Sequence, residues 1–152
     1  MKRIVELTGK QILVTGAVSG VGKETALLLS NLGAKVILVD KNEELLNGVL
    51  ELMNDKRSCI YSFDINDIEI IEPKIKEIVS KHGPFNGLAF CAGSGGVRPL
   101  SLSKHIFVQE LMNANLYSFF ELVRIITKKG SFVKGGSIVA LSSVSSIRGL
   151  KS

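Results

Sequence analysis

Cysteine is nearly absent: two residues in 152, Cys59 inside SCIYSF and Cys91 inside LAFCAG. Both lie in apolar runs, so buried free thiols of a reducing compartment are expected rather than a disulfide framework or a metal pair. No apolar run approaches the roughly 20 residues that a membrane-spanning helix needs. The N-terminal MKRIVELTGK carries basic residues but no apolar h-region, which argues against a signal peptide. Internal repeats, low-complexity tracts and linkers are missing too, which leaves a single domain over residues 1–152. Neither sign of charge dominates. Nineteen basic and 14 acidic residues give +5, and the lysines are scattered or follow acids on helical stretches such as KIKEIVSK. An anionic cofactor or substrate explains that balance better than a nucleic acid does. The expectation is a cytoplasmic protein with no nucleic-acid partner and no membrane partner.

What is present is apolar: 45% of the residues, with a mean hydropathy of +0.30, which excludes a disordered chain and favours buried parallel strands. QILVT (Gln11–Thr15) is a short apolar run between glycines and reads as a strand. GVGKETALLLSNLG follows as a helix stopped by Gly33. KVILVD (Lys35–Asp40) is a second strand. The next helix opens with Asn42 as N-cap and with Glu43 and Glu44 in its first turn, where acids suit the helix dipole. SCIYSF (Ser58–Phe63), NGLAFCAG (Asn86–Gly93) and GSIVALSS (Gly136–Ser143) supply three more strands. Asn66 is a possible cap after the third, but Pro73 follows, and proline fits the first turn of a helix and not its interior. An irregular turn near Asp67–Ile71 and a helix from about Pro73 to Lys81 are therefore expected. A long helix of roughly Lys104 to Thr127 precedes the fifth strand. Unbroken alternation of strand and helix predicts an α/β fold, a parallel sheet with helices on both faces. His82, in the last turn of its helix, suits the dipole there, and neither it nor His105 enters a functional reading.

The stretch with chemistry in it is TGAVSGVGKET, Thr15 to Thr25. A phosphate-gripping P-loop requires G-x-x-x-x-G-K-[ST]. With Gly22–Lys23 as the GK, Ala17 stands where the first glycine belongs, and Glu24 stands where the magnesium-holding hydroxyl belongs. A dinucleotide turn fits better, because it asks for a strand, glycines at a sharp turn, and a helix N-terminus whose free N–H groups meet the pyrophosphate. Gly16 follows the first strand, and Gly20 and Gly22 open the helix. The spacing TGxxxGxG resembles that of the short-chain dehydrogenase/reductase family, classical type. The resemblance implies a Rossmann-like doubly wound parallel sheet, three layers α/β/α, of which about five strands are present and the C-terminal strands and helices are missing. Asp40, at the end of the second strand, stands where an acid accepts the ribose hydroxyls of NAD and repels the extra phosphate of NADP. Lys41 beside it could tolerate that phosphate, whereas Ser19 occupies a place where NADP-preferring relatives usually carry a base. NAD is the expected cofactor, ahead of NADP.

The resemblance extends along the chain. Asp64 and Ile65 look like the family's adenine-contacting pair. Cys91, Ala92 and Gly93 stand in its Asn-Asn-Ala-Gly segment, with Phe90 and Cys91 replacing the asparagines. The cofactor set it implies is Gly16, Ser19, Gly20, Val21, Gly22, Asp40, Asp64, Ile65, Cys91, Ala92 and Gly93. Asn115 in MNANLYSFF and Ser143 in GSIVALSSVSS match two of the four catalytic positions, a water-anchoring asparagine and a serine that hydrogen-bonds the substrate oxygen. The partners it implies are the dinucleotide and a small carbonyl or alcohol substrate, with hydride transfer between them. A homo-oligomer through the long helix, residues 104–127, is expected as well. The remaining catalytic pair, Tyr-x-x-x-Lys, falls after Ser152. Tyr61 and Tyr117, with Ile65 and Glu121 four residues on, do not make it. The expectation is that these 152 residues alone do not turn over substrate. They are the N-terminal portion of a longer enzyme, or else a non-catalytic dinucleotide-binding module. The fifth strand should then present an open edge and an uncovered face.

Overall fold

The computed structural model describes residues 5–96, 98–144 and 148. Five parallel strands, β1 (Gln11–Thr15), β2 (Lys35–Asp40), β3 (Cys59–Ser62), β4 (Phe85–Phe90) and β5 (Phe132–Ala140), form one sheet in the order β3-β2-β1-β4-β5. The helices are α1 (Gly20–Asn31), α2 (Glu43–Glu51), α3 (Ile68–His82), α4 (His105–Met112) and α5 (Ser118–Ile126). This is the Rossmann-like α/β arrangement expected. Parallel strands need crossovers, and the apolar faces of the helices fold back to cover the sheet.

Side chains alternate along each strand, so the sheet feeds two cores. Leu13, Ile37, Val39, Leu88 and Phe90 pack on one face against Ile71, Ile75 and Ile78 of α3 and Leu122, Ile125 and Ile126 of α5. Val14, Val36 and Leu38 pack on the other against Ala26 of α1 and Leu46 and Val49 of α2. The α3 spacing is a helical stripe. Local signals act where expected: the Asn42 side chain accepts the Leu45 N–H at 3.0 Å, and α1 ends just before Gly33, at φ 92°.

Strands β3 and β4 are shorter than the expected Ser58–Phe63 and Asn86–Gly93, and three elements differ more. Helix α3 starts at Ile68, well before Pro73, which sits inside it. A proline there deprives only the carbonyl of Glu69, an exposed residue, of its helical donor. In return the early turns bury Ile71 completely and pack Ile68 and Ile70 onto the core. The first turn is tight, with Ile70 N–H bonded to the Asp67 carbonyl at 3.2 Å. Asn66 is not the cap. The expected long helix is α4 and α5 joined by a single π-helical turn, Asn113–Tyr117. Strand β5 starts at Phe132 rather than Gly136 and ends at Ala140. Phe132 pairs with Phe85 and Ser137 with Gly87, so Val133–Gly136 bulge opposite Asn86. The Phe132 ring, anchored in the core beside α5, makes the early start worthwhile.

Beyond β4 the covering thins. Ile138 is 36% exposed, Val139 60% and Leu141 51%. An apolar hollow of about 440 Å³ runs along this face between α1 and β5. Among the described residues no helix is long and apolar enough to cross a membrane.

Candidate functional site

The chain leaves β1 toward β2 and β3 on one side and returns to β4 on the other. Loops diverge at the C-terminal ends of β1 and β4, and the crevice between them is where ligands of such sheets bind. A cleft of about 390 Å³ lies there.

Its floor is set by two glycines that no other residue can replace. Gly16 turns the chain at φ 64°, and a Cβ on it would stand 2.8 Å from the Ala92 backbone. A Cβ on Gly22 would stand 2.1 Å from the Gly16 carbonyl oxygen. The turn after β1, the start of α1 and the loop after β4 are therefore in backbone contact. The buried Thr15 hydroxyl ties them further by accepting the Ala92 N–H at 3.2 Å. Ser19 is the N-cap of α1, and its side chain makes no capping bond. The amides of Gly20, Val21 and Gly22 have no acceptor within the helix, and these residues line the cleft. The site thus offers donors at the positive end of a helix dipole, the arrangement that binds phosphate.

The far wall comes from the ends of β2 and β3. Asp40 Oδ1 accepts the Asn42 N–H at 3.2 Å, and Asp64 Oδ1 accepts the Asn66 N–H at 2.9 Å. These local bonds fix each carboxylate while leaving its second oxygen out of any described hydrogen bond. Lys41, Phe63, Ile65 and Asn66 complete this wall. On the near side are Cys91, Ala92, Gly93 and Ser94. Burial pushes the Cys91 thiol up, opposed by a hydrogen bond with Thr25.

All eleven residues of the expected cofactor set line this one cleft: Gly16, Ser19, Gly20, Val21, Gly22, Asp40, Asp64, Ile65, Cys91, Ala92 and Gly93. The two expected catalytic residues are placed differently. Ala114 and Leu141 line the cleft in the positions next to Asn115 and close to Ser143. The Asn115 carboxamide holds the loop after β4 from both sides, accepting the Ser94 N–H at 3.1 Å and donating to the Ser94 carbonyl at 2.9 Å. It also donates to the Leu111 carbonyl at 2.8 Å. Ser143 is exposed, three residues beyond the end of β5. The Tyr61 hydroxyl is 3.0 Å from His82 Nε2, and among the described residues no tyrosine lines the cleft.

Thr15 and Ser94 escape sequence reasoning. Thr15 directly precedes the first glycine, a position from which its hydroxyl can reach across to β4. Ser94 contributes backbone only, for which no sequence signal exists.

The pattern of the family described as short chain dehydrogenase matches residues 10–152. A short-chain dehydrogenase reductase of Arabidopsis thaliana is 30% identical over 148 residues, 93% of this chain and 55% of that protein. An NAD-dependent glycerol dehydrogenase of Listeria innocua is 32% identical over 141 residues, 93% of this chain and 55% of that protein. Among solved structures, a short chain dehydrogenase of Shigella flexneri complexed with NADP superposes with a TM-score of 0.82 at 29% identity, covering 95% of this chain and 63% of that one. The chain spans about half the length of the curated relatives it matches.

Proposed function

The chain belongs to the short-chain dehydrogenase family, and we propose that it binds a nicotinamide dinucleotide, NAD ahead of NADP, between β1 and β4. There it serves as the cofactor half of an oxidoreductase acting on a carbonyl or alcohol group. The observation that carries this is the cradle at Gly16 and Gly22, which a single Cβ would fill, beneath the unpaired amides of α1. In this reading Gly20, Val21 and Gly22 donate to the pyrophosphate. Ser19, at the N-cap, lies beside it. The free oxygen of Asp40 accepts from the adenosine ribose, and Asp64 with Ile65 borders the adenine. Cys91, Ala92 and Gly93 bring backbone close to the rest of the dinucleotide. When bound, the nicotinamide supplies or accepts the hydride.

Asn115 acts through Ser94, setting the loop under the cofactor, and the Ser143 hydroxyl serves the substrate oxygen. Among the described residues lining the cleft there is no tyrosine to move the matching proton. The 152 residues on this reading bind the dinucleotide without turnover, and that same observation supports the second reading, a binding module. Exposed apolar side chains on α4, the π-helical turn and α5, Ile106, Val108, Leu116 and Phe120, support self-association through residues 104–127.

Fluorescence titration with NADH and NADPH tests the reading. NADH is expected to bind more tightly, and Asp40→Asn to narrow or reverse the difference. Binding of neither nucleotide would sink the cofactor reading, and tighter NADPH would sink the preference. The NAD-dependent Listeria relative and the NADP-bound Shigella structure show that similar chains accommodate either. Steady NADH oxidation by the purified 152 residues with a panel of ketones would refute the lack of turnover.

A further inference from the structure

At the opposite end of the sheet, where the strands begin, a second cleft of about 380 Å³ opens among Lys10, Lys35, Arg57, His82, Asn86 and Val133. Bases scattered along the sequence meet here because parallel strands all start at one end. Lys10 precedes β1, Lys35 opens β2, Arg57 lies just before β3, and His82 ends α3 ahead of β4.

Helices α1 and α3 also end here, and cations commonly gather at helix C-termini to satisfy carbonyls. These carbonyls have other donors. The Leu7 N–H bonds the Leu32 carbonyl at 2.8 Å. The Arg57 guanidinium reaches the Gly33 carbonyl at 3.4 Å. The Gln11 side chain donates to the Gly83 carbonyl at 2.9 Å. Asp55, close by, is gripped by Arg57 at both oxygens, which holds its carboxyl low, with Lys35 adding to the effect from further away.

That leaves Lys35 and Lys10. The Lys35 ammonium lies 3.0 Å from His82 Nδ1. An ammonium only donates, so Nδ1 is an acceptor and the neutral ring carries its hydrogen on Nε2. Nε2 in turn lies 3.0 Å from the Tyr61 hydroxyl and 3.5 Å from Cys59 Sγ. Lys35 is therefore hydrogen-bonded to an uncharged acceptor and makes no ion pair among the described residues. Lys10 makes no ion pair among the described residues. Two positive charges share a concave wall without a carboxylate of their own.

We infer that this cleft is a binding site for a compact dianion of phosphate-monoester chemistry, held by Lys10 and Lys35 with Arg57 at its edge, and separate from the dinucleotide cleft. The site predicts its own proton linkage. A dianion beside Lys35 draws the ammonium away from His82 Nδ1 and places negative charge near the imidazole, so the ring takes up a proton more readily. The other groups facing His82 are Cys59 and Tyr61 from β3 and Lys81 on α3, the last paired with Glu77 at 2.7 Å. Lys10 and Arg57, with Asp55, stand across the cleft. None of these supplies a competing free carboxylate.

Sulfate serves as the probe with fixed charge, inorganic phosphate as the second arm, and chloride at matched ionic strength as the control. The readouts are amide shifts and the His82 imidazole titration followed by NMR. Sulfate and phosphate are expected to perturb the amides of Lys10, Lys35 and Gly83. Sulfate is expected to raise the His82 midpoint by about half a pH unit relative to chloride. Lys35→Met is expected to weaken binding about tenfold, the effect of losing one close charge. Lys10→Gln removes no described side-chain contact, so it tests the site even if Lys35→Met fails to fold, and a several-fold loss is expected. Perturbation confined to the Gly16–Gly22 turn would overturn the inference, as would a His82 titration identical in sulfate and chloride or unchanged affinity in Lys10→Gln. NADH binding reports on the other cleft and is unaffected by any of these outcomes.

Discussion

Strands β2 and β5 carry similar runs, VILV and IVA, and meet opposite fates. In β2, Val36, Ile37 and Leu38 are wholly buried and Val39 is 1% exposed, because α1 and α2 cover one face and α3 the other. In β5, Ile138 is 36% exposed and Val139 60%. The strand lies at the end of the sheet order, and the helices on the α1 side reach only as far as β4. A hydrophobic strand is thus a demand for cover rather than evidence that cover is present. The energy of each apolar residue is set by its neighbours in the layer above and below.

Truncating one side chain in each strand turns this contrast into a measurement. Leu38→Ala opens a hole in a closed core and is expected to cost about 2–5 kcal/mol in urea denaturation. Val139→Ala removes surface that is already wet and is expected to change stability by no more than about 0.5 kcal/mol. Equal losses would mean that the face over β5 is covered in solution. A concentration-dependent loss for Val139→Ala would identify a second copy as the cover.

The cleft at Gly16 and Gly22 holds a similar contrast on a smaller scale. A Cβ on Gly22 collides with the Gly16 carbonyl, whereas nothing lies within 4 Å of a Cβ on Gly20. Gly22→Ala must push α1 off the turn, with an expected loss of about 1–3 kcal/mol and of measurable NADH binding. Gly20→Ala meets only its own backbone, at φ 50°, and is expected to cost about 1 kcal/mol. Gly22→Ala binding NADH as well as the unaltered chain would show that the cradle is not where the pyrophosphate sits.

Much of this fold is legible because its signals are local. Glycine after β1, Asn42 before α2 and Gly33 after α1 each act on their immediate neighbours, and the strand–helix alternation leaves one class of sheet. The eleven residues of the cofactor set gather in one cleft for the same reason: each ends a strand or follows one, and parallel strands end together. What was not legible depends on partners distant in sequence. Pro73 predicts a helix start, yet the burial of Ile71 decides it. The extent of β5 depends on a core contact of Phe132 and a bulge against Asn86. The hydrogen bonds of Asn115 depend on a loop 21 residues away. The gathering of Lys10, Lys35 and Arg57 follows from topology and is invisible in a sequence where they are scattered.

A pH-dependent effect separates the two sides of α3, which is pinned to β2 and β3 by His82 and to α5 by Glu72. Glu72 bonds Lys76, Arg124 and Lys128, and these hold its carboxyl at about 2, against an ordinary 4.5. Burial, Lys35 and Lys81 hold the His82 imidazole below its ordinary 6.5. Both groups bind a proton more readily in the unfolded chain, so both contribute stability at higher pH and lose it on acidification. The windows differ. The His82 contribution is complete above 6.5 and falls as the pH drops below it. The Glu72 contribution is complete above 4.5 and falls toward 2. Melting curves in buffers free of phosphate and sulfate are expected to show a loss of a few degrees between pH 7.5 and 5.5 that is absent in His82→Gln. A further loss below pH 4.5 is expected to shrink in Glu72→Gln. Hydrogen exchange should place the first loss at β2 and β3 and the second at the contact of α3 with α5. Both losses appearing together, or the first persisting in His82→Gln, would show that α3 is not held at its two sides by separate groups.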